Sequence, residues 1–82
     1  MRISLWLEGS NVPTVVETYE IIRYGKESGL DKEYVAIYIP TGTYFTCCDR
    51  KLCKDDVFNG IVESINRNGY YAFPKDYRWL CK

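Results

Sequence analysis

The 82-residue chain contains no histidine. That removes the base on which His-assisted serine and cysteine nucleophiles depend, and the imidazole ligand of most catalytic zinc sites. No glycine-rich phosphate loop is present either, since Gly42 and Gly60 stand isolated. Charge of one sign is not in excess: eleven Lys and Arg balance eleven Asp and Glu. A neutral chain lacks the long-range field that drives phosphate neutralisation, which argues against nucleic acid as a partner. No apolar run approaches the roughly 18 residues that cross a bilayer, so no membrane partner is expected. Met1–Leu7 is too short for a secretory leader and is ended by Glu8 and Gly9. These absences lead to the expectation of a cytoplasmic protein. The chain reads as one whole product, a single domain over residues 1–82 with a C-terminal tail at 75–82.

The composition departs from the ordinary in its aromatics, which make up 16% of the chain and include eight tyrosines. Tyr and Trp are enriched at interfaces, because they offer large area, few rotors and a polar tip.

Several segments carry a clear period. Arg2–Glu8 alternates, with Ile3, Leu5 and Leu7 on one side and Arg2, Ser4, Trp6 and Glu8 on the other, as in a half-buried strand. Glu33–Ile39 alternates again, Pro40-Thr41-Gly42 supplies turn chemistry, and Thr43–Cys48 returns as an antiparallel partner. Lys54–Asn68 is amphipathic, with Val57, Phe58, Ile61, Val62 and Ile65 in one stripe. Asp55 and Asp56 fit its start as caps, and Asn68-Gly69 its end. Tyr70–Phe73 reads as a last strand stopped by Pro74.

Thr14–Lys26 divides the signals. Val15, Val16, Tyr19 and Ile22 share a helical face, and Thr14 with Glu17 fits a capping box. The β-branched content favours a strand, but a strand mixes its faces, placing Val16 with Glu20 and Val15 with Glu17. The helix is the preferred reading, stopped at Gly25 or Gly29.

The resulting order, β-α-β-β-α-β, predicts an α+β, ferredoxin-like fold: a four-stranded antiparallel sheet with two helices on one face. Should Thr14–Lys26 be extended instead, the alternative is a five-stranded sheet crossed by one helix. In the preferred fold Ile3, Leu5, Leu7, Val35, Ile37 and Ile39 face the helices. Trp6, Tyr34, Tyr38 and one of Tyr44 or Phe45 then occupy the uncovered sheet face, unless the tail folds Trp79 and Leu80 across it.

Cys47, Cys48, Cys53 and Cys81 are spaced C-C-x4-C with one distant thiol, which is not a zinc knuckle, and adjacent strand cysteines point to opposite sides. They read as core-filling or incidental residues. No catalytic residue, metal or cofactor is predicted, and the chain is not expected to be an enzyme. The expected function is a small protein-binding module, an inhibitor or adaptor of a larger protein, of the kind phages and mobile elements encode for use in the host cytoplasm. Its candidate contacts are Trp6, Tyr34, Tyr38, Tyr44 and Trp79, rimmed by Arg50, Lys51 and Lys54. The alternative is a single-stranded nucleic-acid or RNA binder that stacks bases on the same aromatics. A homodimer through the open face is compatible with either.

Overall fold

The computed structural model describes residues 1–25 and 33–82. Its elements are β1 (Arg2–Leu7), β2 (Thr14–Glu17), β3 (Glu20–Tyr24), β4 (Tyr34–Tyr38), β5 (Tyr44–Cys47), α1 (Asp55–Asn68), β6 (Tyr70–Ala72) and β7 (Arg78–Cys81). The ferredoxin-like arrangement is not formed. Among the described residues one helix and a seven-stranded mixed sheet, in the order β2-β1-β7-β5-β4-β3 with β6 also on β1, replace it. The alternative with one helix is the nearer one. Gly25 is buried, and Lys26 and Gly29 lie outside the described residues.

The segment expected as the first helix is two short strands meeting at a corner. Consecutive amides go to opposite neighbours there: Thr18 donates to the Met1 carbonyl at 2.7 Å and Tyr19 to the Tyr38 carbonyl at 3.2 Å. The Thr18 hydroxyl donates to the same Tyr38 carbonyl at 2.6 Å and accepts from the Glu20 amide at 3.3 Å. The side-chain phase slips by one residue at this point. Val16 pairs with inward Ile3 and Ile21 with inward Ile37, five positions apart, while Tyr19 and Glu20 are both exposed. An unbroken strand cannot put an even and an odd residue on one face. That slip produced the mixed faces that favoured a helix in the sequence.

Because β2 and β3 are contiguous in the chain, the two ends of the sheet path meet and the sheet wraps on itself. β6 and β7 also act as one strand. Both run parallel to β1, at Arg2–Ser4 and at Trp6–Leu7 respectively, separated by the Phe73–Tyr77 excursion. Pro74 has no amide to give the ladder, and the Tyr77 amide closes a turn on its carbonyl at 3.2 Å. The expected tail is therefore a structural strand, β7, parallel to β1 and antiparallel to β5.

The interior holds Ile3, Leu5, Val35, Ile37, Phe45, Phe73 and Trp79, with Ile61 and Ile65 of α1 and Leu52 and Cys53 from the turn before it. Leu7, Ile39, Val57 and Phe58 pack around them. The hairpin forms as expected, with Gly42 at φ 92° in its turn. Gly69 ends α1 at φ 73° and donates to the Ile65 carbonyl at 2.7 Å. Lys54 occupies the N-cap without a side-chain hydrogen bond, so Asp55 and Asp56 act through charge in the first turn rather than as caps. Arg23 ties the helix to the sheet. It donates to the Cys53 carbonyl at 3.0 Å, pairs with Asp55, and lies 5.5 Å over the Phe58 ring. No helix among the described residues is long and apolar enough to cross a membrane.

Candidate functional site: an outer face of tyrosines

Alternation along β3, β4 and β5 turns every second side chain outward. The register sets Tyr24 opposite Tyr34, Ile22 opposite Ala36, Ala36 opposite Thr46, and Tyr38 opposite Tyr44. Directly opposed side chains on one face are close enough for ring contact. Tyr24 stacks on Tyr34 with centroids 4.9 Å apart, Tyr38 meets Tyr44 at 5.4 Å, and exposed Tyr19 lies 6.4 Å from Tyr38. The Tyr24 and Tyr38 phenol oxygens share a hydrogen bond of 2.8 Å. That bond, with partial burial, pushes the Tyr38 phenol up to about 12.

Between these rings the floor is small and closed: Ala36 is fully buried and Thr46 nearly so. Tyr34, Tyr44, Thr46, Cys48 and Lys82 line a shallow cleft of about 260 Å³ above it. A second cleft of about 310 Å³ shares Thr46 and Cys48 and continues toward Arg78 and Leu80, with Glu8, Asp49 and Asp76 at its edge. The outward residues of β7 are Arg78 and Leu80, the latter 46% exposed, and the pattern runs on to Lys82, whose amide donates to the Tyr44 carbonyl at 2.8 Å. Beyond Arg78 stands Trp6 on β1, half-buried, with the Arg78 and Lys75 cations 5.8 and 5.9 Å from its ring. Arg78 is held in place by the Leu7 and Ser10 carbonyls at 3.2 and 2.8 Å.

Of the residues singled out in the sequence, Trp6, Tyr34, Tyr38 and Tyr44 all lie on this outer face. Phe45, the alternative to Tyr44, points inward. Trp79 is a correction: it is fully buried, opposite Leu7 and 5.0 Å from the Phe73 ring, so it is core rather than contact surface or a cover for the open face. The reason is parity, since β7 continues the sheet and turns every second residue into the interior. Arg50, Lys51 and Lys54 are exposed in the turn before α1, and none lines either cleft. The cations at the aromatic face are Lys75, Arg78 and Lys82, which composition alone did not single out. Tyr24 was missed with the strand that carries it.

Cys47 and Cys53 are buried, and Cys48 and Cys81 exposed. Burial pushes the Cys47 thiol up to about 11 and raises Cys53 as well, so both are held protonated. Among the described residues no group of three or more Cys, Asp or Glu is placed to hold a metal ion. The outer face offers aromatic area, phenol hydroxyls and the Lys75, Arg78 and Lys82 cations, with Glu8, Asp49 and Asp76 lining the cleft beside Arg78. Comparison with family models, with curated proteins and with solved structures gave no match to this chain.

Proposed function

We propose that the chain is a small non-catalytic protein-binding module that docks a larger protein, as inhibitor or adaptor, through the outer face of β4, β5 and β7. The observation that carries this reading is the interlocked set Tyr24, Tyr34, Tyr38 and Tyr44. Ring contacts and the phenol–phenol hydrogen bond hold these side chains in place before any partner arrives. Docking then costs little side-chain entropy, which is where much binding energy is otherwise lost. The core does not need these rings, because Phe45, Phe73 and Trp79 fill it from the other side of the sheet. Leu80 and Trp6 extend the apolar area along the same face.

A second reading is single-stranded nucleic-acid binding. The Lys75 and Arg78 cations at the Trp6 ring favour it, since stacking surface beside positive charge is what such binding uses. The zero net charge weighs against it.

The test is capture from a cell lysate on immobilised wild type beside a Trp6→Ala/Tyr44→Ala variant shown to be folded, followed by reconstitution with the purified captured protein. One protein that binds wild type directly and the variant at least about tenfold more weakly supports the module. Retention of nucleic acid in its place, or equal capture by the folded variant, contradicts it.

A further inference from the structure

We infer that the docked protein anchors itself with an arginine, whose guanidinium enters the cleft at the Arg78 end of β7; the inference rests on the docking reading above. The ends of three segments converge on this cleft of about 310 Å³. Glu8 follows β1 and is held beside β7 by its amide, which donates to the Trp79 carbonyl at 2.9 Å. Asp49 follows β5, and its carboxylate accepts from the Lys51 amide at 2.8 Å. Asp76 belongs to the excursion that precedes β7. None of the three forms an ion pair among the described residues. Arg78 is the single cation of the lining, and its Nη1 is engaged by the Leu7 and Ser10 carbonyls. Three carboxylates against one cation leave the cleft negative, in a chain whose overall charge is zero.

Thr46 points into the same space. It lines the cleft and is only 7% exposed, yet its hydroxyl forms no hydrogen bond among the described residues. The oxygen is not sealed off as the Trp79 indole nitrogen is, so it opens to the cleft as a free acceptor. A nearly buried polar group without a partner calls for a donor. The class of donor follows from the spacing of the carboxylates. They do not converge on a point, since among the described residues no three Asp, Glu or Cys side chains are placed to hold a metal ion. An ammonium is also a point charge, whereas a guanidinium carries five donors on a planar fork and meets acceptors on different sides. Arginine is weakly hydrated and enriched among the residues that dominate interfaces. Its methylene stem finds apolar cover on Leu80, which is 46% exposed and opposite Thr46. The tyrosine-walled cleft shares Thr46, so the anchor and the rings act on one partner side by side.

The test is selection of random peptides from a display library on the immobilised chain. The enriched sequences are then resynthesised with arginine, lysine or neutral citrulline at the enriched position. Fluorescence anisotropy measures them against wild type, an Asp49→Asn/Asp76→Asn variant and a Tyr44→Ala variant, each shown to be folded by circular dichroism. The expected result is a fixed arginine and an affinity that falls with salt. Binding drops about tenfold or more with citrulline or in the Asp49→Asn/Asp76→Asn variant, and the lysine form lies between. Enriched peptides without arginine, or ones that both changes leave as tight, overturn the anchor; if Tyr44→Ala still weakens them, the docking reading stands alone. A lysine form as tight as the arginine form overturns the guanidinium. No enriched peptide overturns both the anchor and the docking reading.

Discussion

The phenol oxygens of Tyr24 and Tyr38 lie 2.8 Å apart on neighbouring strands, so one proton serves two rings of the outer face. The bond favours the protonated Tyr38 phenol, whose ionisation moves from 10.0 up to about 12. A raised value means that the folded protein holds this proton more tightly than the unfolded chain. Its stabilisation is complete below pH 10 and is lost as pH rises toward 12. Spectrophotometric titration is expected to show a tyrosine ionising near 12 that Tyr24→Phe returns toward the ordinary value. An unchanged titration in Tyr24→Phe contradicts the shared proton.

Thr18 joins the two halves of the sheet, and its hydroxyl serves the Tyr38 carbonyl and the Glu20 amide from a buried site. Thr18→Val keeps the shape but removes the acceptor of the Glu20 amide and leaves the Tyr38 carbonyl with the Tyr19 amide alone. It is expected to cost about 1–2 kcal/mol, with Thr18→Ser closer to wild type. Urea denaturation of the three proteins checks the order, and a valine variant as stable as wild type refutes the role given to the hydroxyl.

How much was legible in the sequence follows from the same corner. The hairpin, β1 and α1 were readable because each keeps one period over its whole length. β2 and β3 were not, because a one-residue slip at Thr18 and Tyr19 cancels the alternation that identifies a strand. β7 was hidden for a related reason. The Phe73–Tyr77 excursion separates it from β6, and Arg78–Cys81 alone is too short to show a period. Trp6, Tyr34, Tyr38 and Tyr44 could be assigned to the outer face because their strands were readable. Trp79 was misplaced because its strand was missed, and Tyr24 was lost with β3.

Trp79 and Trp6 provide a paired stability test. Trp79 is fully buried, and its indole N–H has no hydrogen-bond partner among the described residues. Trp79→Ala is expected to cost about 3–5 kcal/mol and to unfold a domain this small. Trp79→Phe removes the unsatisfied donor with part of the volume, so it costs less. Trp6→Ala removes a half-buried outer ring and leaves the far-ultraviolet circular dichroism spectrum unchanged. Unfolding by Trp6→Ala together with tolerance of Trp79→Ala reverses the inside and outside assigned to β1 and β7.

The thiols divide by burial. Iodoacetamide at pH 8 is expected to label Cys48 and Cys81 and to spare Cys47 and Cys53 until the protein is denatured. The Cys47 shift also contributes to alkaline behaviour. Its stabilisation is present below pH 9.0 and lost as pH rises toward about 11. Peptide mass spectrometry of the labelled chain reads the order directly, and equal labelling of Cys47 and Cys48 in the folded state contradicts it.

We propose the outer face of β4, β5 and β7 as the place where a partner docks. Its most direct test is a titration of the isotope-labelled protein with its purified partner, followed by amide and side-chain chemical shifts. Docking at this face gives perturbations at Tyr34, Tyr38, Tyr44, Leu80 and Trp6, and none at the exposed Asn59, Glu63 and Asn66 of α1. Perturbations confined to α1, with the tyrosines unmoved, contradict it.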